Sequence, residues 1–107
     1  VLYEFCSLTA CADGEDPVGG VVIDAAGNLY GTTYSGGAAD DGAVFKLDTT
    51  RKETVLYSFT GKADGALPSG GVTMDTVGNL YGATSRGGDL KCRPKYGGCG
   101  VVFRVSH

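Results

Sequence analysis

The sequence has no tryptophan, one methionine, three prolines and one histidine, and that histidine is the last residue, His107. A histidine-based catalytic triad needs an imidazole held in a packed site, which a frayed terminal residue does not supply. No run reaches the roughly 18 apolar residues that a membrane-spanning helix requires. No segment repeats apolar residues at helical spacing, so no helix is expected. The paired glycines Gly36-Gly37 and Gly87-Gly88 are not followed by the Lys-Ser/Thr of a phosphate-binding loop. Asp13-Gly14 and Asp64-Gly65 lack the alternating acidic pattern of a calcium loop and read as turns. Basic charge is also scarce: the net charge is −3 and the pI about 4.9, which argues against a nucleic-acid footprint. No signal peptide is visible, and the chain opens on a strand-like VLYEF rather than a methionine, as a processed protein or a piece of a longer one does.

What the 107 residues do contain is glycine, 19 of them, more than twice the usual share of about 7%. There is no Gly-X-Y period, which excludes collagen. Glycine at this density among Val, Tyr, Phe and Thr indicates short strands joined by tight turns.

The organisation is a duplication. Gly19-Gly20-Val21-Val22-Ile23-Asp24-Ala25-Ala26-Gly27-Asn28-Leu29-Tyr30-Gly31-Thr32-Thr33 aligns with Gly70-Gly71-Val72-Thr73-Met74-Asp75-Thr76-Val77-Gly78-Asn79-Leu80-Tyr81-Gly82-Ala83-Thr84. Upstream, Val1-Leu2-Tyr3-Glu4-Phe5 matches Val55-Leu56-Tyr57-Ser58-Phe59, and Asp13-Gly14 with Pro17 matches Asp64-Gly65 with Pro68. Downstream, Ala43-Val44-Phe45-Lys46-Leu47 matches Val101-Val102-Phe103-Arg104-Val105. The chain therefore reads as a single two-repeat unit over 1–107, with repeat one at about 1–54 and repeat two at about 55–107.

Two insertions interrupt the match, one between Phe5 and Asp13 and one between Gly88 and Gly100. They hold all four cysteines: Cys6 and Cys11 in the first, Cys92 and Cys99 in the second. These spacings fit a zinc site poorly. Disulfides are the better reading, and they place the chain in an oxidising, extracellular compartment. Local bonds, Cys6 with Cys11 and Cys92 with Cys99, are the first choice. Cross pairing that staples one copy to the next is the alternative.

Each copy resolves into four strand-like runs: LYEF or LYSF, GVVID or GVTMD, NLYGTT or NLYGAT, and AVFKL or VVFRV. The Asp-x-x-Gly-Asn between the second and third is a hairpin connection, with Asp24 and Asp75 as turn caps. An all-β chain of two four-stranded antiparallel units at a period of about 50 residues is the pattern of β-propeller blades. The second run is expected innermost and the LYSF run outermost. That arrangement is permuted, so the N-terminal strand completes another blade. Two blades cannot close a ring, which leaves an open edge. Association with itself is expected, as a closed ring or an open filament, with Val1–Phe5 pairing beside Val101–Val105 of a neighbour.

The runs ETVLYSFTG-x-ADG, D-x-x-GNLYGTT-x-x-GG and G-x-VFKL resemble the bacterial GloVer (Gloeobacter/Verrucomicrobia-type) extracellular tandem repeat, and the likeness covers nearly the whole chain twice. The resemblance implies secreted or surface-anchored proteins, a propeller-like fold and no established enzymatic activity. It supplies no functional residues to carry over.

No catalytic constellation, cofactor site or metal site emerges. The second insertion is basic and aromatic on an otherwise acidic chain, and Lys91, Arg93, Lys95 and Tyr96 are its candidate contacts for a glycan or a partner, with Tyr34 able to stack on a sugar ring. The missing tryptophan weakens such a lectin reading, and a solvated loop is the simpler one. The reading that fits best is a non-enzymatic secreted structural or interaction module. A lectin-like propeller is the alternative, and a hydrolase is remote.

Overall fold

The computed structural model describes residues 1–106, and the side chain of each except Tyr96. The chain forms two four-stranded antiparallel sheets. The first consists of β1 (Glu15–Ile23), β2 (Leu29–Ser35), β3 (Ala43–Leu47) and β4 (Glu53–Ser58), which follow one another across the sheet in the order β1-β2-β3-β4. Its last strand carries Leu56-Tyr57-Ser58 of the second repeat's LYSF run, so the sheet draws on both copies: Phe45 pairs with Val55, and Val44 with Tyr57.

The second sheet holds β5 (Ala66–Pro68), β6 (Thr73–Met74), β7 (Leu80–Arg86) and β8 (Val102–Val105). β5 and β6 pair with successive parts of β7, and β8 pairs with its opposite edge. Together β5 and β6 correspond to β1. In β1 the pairing shifts between Val18 and Val22, and at the same place in the second repeat it lapses altogether, over 69–72. These positions carry the Gly-Gly pairs. A Cβ on Gly19 would stand 2.2 Å from the Gly71 nitrogen, so the two sheets touch there backbone to backbone, which only glycine permits. The Thr32 hydroxyl fixes the contact by donating to the Gly70 carbonyl at 2.5 Å.

The core lies between the sheets. Tyr30 and Val44 from the first and Val72 and Leu80 from the second are buried around Phe59, with Leu56, Met74 and Phe103 packed against them. Burying each such side chain contributes about 1.5–3 kcal/mol. Phe59 follows β4 and crosses to the second sheet, where its ring meets Phe103 edge-on at 5.1 Å. Phe103 in turn lies over Gly82, its cross-strand neighbour; a Cβ there would come within 2.6 Å of the ring. Phe45 covers Gly31 in the same way.

The structure corrects the strand expectations in two places. The second run of repeat one is longer than GVVID, starting at Glu15, while that of repeat two is shorter. The first run of repeat one, Val1–Phe5, joins no sheet among the described residues. A strand exists only against a partner's backbone, and the outer edge of β3 is already occupied by β4. Among the described residues the only helical segments are two three-residue 3-10 turns, Thr9–Cys11 and Pro94–Tyr96, both inside the cysteine insertions. No described helix is long and apolar enough to cross a membrane.

Candidate functional site

Asp24 closes the β1–β2 hairpin. Its carboxylate accepts from the Ala26 and Asn28 amides, the Asn28 side chain and the Tyr30 hydroxyl. Asp75 does the same with Val77, Asn79 and Tyr81. The bonds from Asn28 above all hold the Asp24 carboxyl at about 2. Partial desolvation opposes ionisation of Asp75, but bonds from Asn79, Tyr81 and Val77 outweigh it and again give about 2. Both carboxylates are thus committed to their turns, and neither is poised to exchange a proton near neutral pH.

A second tyrosine–aspartate contact recurs. Tyr57 donates to Asp64 at 2.5 Å, and Tyr3 to Asp13 at 2.6 Å. Asp13 is fully buried and also accepts the Ser7 and Leu8 amides. Burial raises its carboxyl, but these donors outweigh that and hold it below the usual range. Burial and the adjoining carboxylate push the Tyr3 hydroxyl up to about 12. The sequence marks the Asp-Gly pairs only as turns. Their tyrosine partners lie in another run, and the insertion changes the spacing between the copies, which conceals the shared bond.

All four cysteines are paired locally, Cys6 with Cys11 and Cys92 with Cys99, the first choice of the two pairings. The Gly37 amide donates to the Cys11 carbonyl at 2.9 Å, and the Gly88 amide to the Lys62 carbonyl at 2.7 Å. With Cys6 and Cys11 bonded to each other, the cluster they form with Glu15 offers no thiolate ligand.

Lys91 and Arg93 are exposed in the second insertion, and Lys95 lies in its 3-10 turn. The side chain of Tyr96 lies outside the described residues, as does His107. Tyr34 is 38% exposed near the end of β2, on the other sheet. Among the described residues no hydrogen bond or ring contact joins it to the insertion.

The surface feature that does emerge is an inversion of burial between repeats. On one face of the first sheet Tyr30 and Val44 are 1% and 0% exposed; their counterparts Tyr81 and Val102 are 36% and 85% exposed. On the opposite face the order reverses at the second run, with Val21 at 54% against Val72 at 5%, while Phe45 and Leu47 stay buried beside the N-terminal segment. Each repeat thus carries two apolar faces, and the contact between the sheets covers one face of each.

Two grooves follow from this. One of about 240 Å³ lies on the uncovered face of the first sheet, between the N-terminal segment at Leu2, Tyr3 and Phe5 and the sheet at Val21, Phe45 and Glu53. Glu53 Oε2 is buried without a hydrogen-bond partner; burial, with the nearby Asp13 charge, pushes its carboxyl up to about 7. The other, of about 390 Å³, runs along β8, between Val101–Val105 and Tyr57, Phe59 and Asp64.

This architecture defines a duplicated antiparallel β-repeat protein, tied by glycine contacts and tyrosine–aspartate bonds and bridged only in its insertions. The chain belongs to the Gloeobacter/Verrucomicrobia repeat family, whose model matches residues 1–107. No curated protein and no solved structure matches it.

Proposed function

We propose that the chain is a non-enzymatic structural or interaction module that acts outside the cell and self-associates through its sheet faces and by strand complementation. On this reading the two sheets are neighbouring blades of a β-propeller, permuted so that Val1–Phe5 belongs to a blade of another copy. Closed propellers have about four to eight blades, so copies add head to tail until a ring closes, or propagate as a filament where the rotation does not close.

The observation that carries this reading is the inverted burial. The two uncovered faces have the same repeat positions as the two that pack together inside the chain, so one interface type can extend from copy to copy. The outward apolar residues Val21, Ile23 and Val102 then have a partner surface instead of water. The paired cysteines suit an oxidising location, and the Asp24 and Asp75 carboxylates are engaged in turns rather than in acid–base work. Negative-stain electron microscopy of the purified chain tests the proposal. Rings or fibres are expected, and a field of isolated single-chain particles contradicts it.

A further inference from the structure

Val55–Phe59 serves two sheets at once. Its backbone pairs with β3, with Ser58 opposite Ala43, Tyr57 opposite Val44 and Val55 opposite Phe45. Leu56 packs into the core between the sheets. Tyr57 then bonds to Asp64, and Phe59 wedges against Phe103 of the second sheet.

Val1–Phe5 already makes half of this set. Tyr3 bonds to Asp13, and the Phe5 ring meets Phe45 edge-on at 4.8 Å. These contacts are to the sheet that follows the segment, as Tyr57 and Phe59 contact the sheet that follows theirs. The other half is missing. Val1–Phe5 has no strand partner among the described residues, and Leu2, the counterpart of the half-buried Leu56 that packs on the core, is 51% exposed.

The acceptor side is open in the matching way. Among the described residues β8 is paired with β7 alone, whereas its counterpart β3 is flanked by β2 and β4. The groove of about 390 Å³ along β8 is bounded by Tyr57 and Phe59. In the first sheet their counterparts Tyr3 and Phe5 share a groove with Glu53 of β4. The space beside β8 is therefore the one that β4 takes in the first sheet.

We infer that residues 1–5 form a pre-set donor strand, which enters the β8 groove of a second copy of this chain as the fourth strand of its second sheet. This rests on the self-association proposed above and adds to it the direction, the register and the pre-set state of the donor. The donor runs antiparallel to β8, with Glu4 opposite Val101, Tyr3 opposite Val102 and Val1 opposite Phe103. Leu2 enters the face that carries Tyr81 and Val102. Because the Tyr3–Asp13 bond and the Phe5–Phe45 contact hold the donor before the second copy arrives, little ordering entropy remains to be lost on docking. The Cys6–Cys11 bridge closes the loop directly behind the donor and contributes to the same restraint.

The register is read by cysteine cross-linking, since all four native cysteines are engaged in disulfides. The double variant Glu4→Cys with Val101→Cys brings its new thiols opposite each other across copies. Mild oxidation is expected to convert most of the chain into a covalent ladder on a non-reducing gel. Glu4→Cys with Arg104→Cys sets the thiols three residues out of register, beyond disulfide reach, and at least tenfold less ladder is expected. Both variants are at exposed or half-exposed positions, and circular dichroism checks that they fold. Light scattering on the unmodified chain separates the two levels of the account. A multimer whose in-register variant forms no ladder, or no more than the out-of-register one, overturns the donor-strand joint and leaves self-association standing. A monomer at 10.9 kDa overturns both.

Discussion

The Tyr3 hydroxyl lies 2.6 Å from the buried Asp13 carboxylate, and this bond ties a segment outside both sheets to the turn that starts β1. Tyr57 and Asp64 make the same bond one repeat later, so it belongs to the repeat and is no accident of the chain's first residues.

Tyr3→Phe removes the donor and leaves the carboxylate its two amide partners. A charge-assisted bond of this kind contributes about 1.5–3 kcal/mol, and a loss in that range is expected from urea denaturation. Asp13→Ala is expected to cost more, because it strands the Tyr3 hydroxyl and the Ser7 and Leu8 amides. Equal, negligible losses in both variants would contradict the bond's role.

Stability is expected to peak at about pH 4–5 and to fall on both sides. The Glu53 carboxyl is raised from 4.5 to about 7, so its contribution is complete below pH 4.5 and is lost as the pH climbs through 7. Asp24 and Asp75 are depressed from 3.8 to about 2. Their contribution is present above pH 3.8 and is lost as the pH falls towards 2. Urea midpoints from pH 2 to 9 trace both limbs. Glu53→Gln should flatten the decline between pH 5 and 8 and leave the acid limb unchanged; an unaltered neutral limb would remove Glu53 as its cause.

Gly31→Ala and Gly82→Ala each place a methyl against a phenylalanine ring, at 2.8 Å from Phe45 and 2.6 Å from Phe103. Overpacking of this kind costs about 1–3 kcal/mol. The Gly82 change is expected to be the more damaging, because Phe103 also supports Phe59 in the core. Thermal melts of the two variants, compared with Ala83→Gly as an exposed neighbour, measure the difference.

Each disulfide closes a short loop, with sequence separations of 5 and 7, for which loop-closure entropy gives about 2 kcal/mol. The sheets and the core lie outside both loops. Reduction is therefore expected to lower the melting temperature and leave the β-sheet circular dichroism intact at 25 °C. Loss of the β spectrum on reduction would show that the bridges hold the sheets as well.

The duplication, the hairpin turns and most strands were legible in the sequence, because a turn such as Asp24 to Asn28 is set by residues within reach of one another. The long β1 was not, since Glu15 to Gly20 is rich in residues that rarely sit in strands, and Asp16 takes a positive φ of 57°. Gly19-Gly20 and Gly70-Gly71 showed in the sequence only as part of the repeat, because their reason is a backbone contact between sheets, Gly19 against Gly71, which no local pattern announces. The candidate contacts Tyr34, Lys91, Arg93 and Lys95 were chosen by chemistry alone, and chemistry does not say that Tyr34 and the insertion belong to different sheets. Likewise the strand-like pattern of Val1–Phe5 is real, but a pattern does not specify where its partner is.

Val102 is the most direct handle on the central claim, for its counterpart Val44 is fully buried between sheets while it stands 85% exposed. Sedimentation equilibrium of the intact chain, compared with Val102→Glu, is the decisive measurement. The account predicts a wild-type mass at a multiple of 10.9 kDa and a folded Val102→Glu variant that sediments as a single chain. A wild type that remains a single chain at every concentration, or a Val102→Glu variant that associates as fully as the wild type, would contradict it.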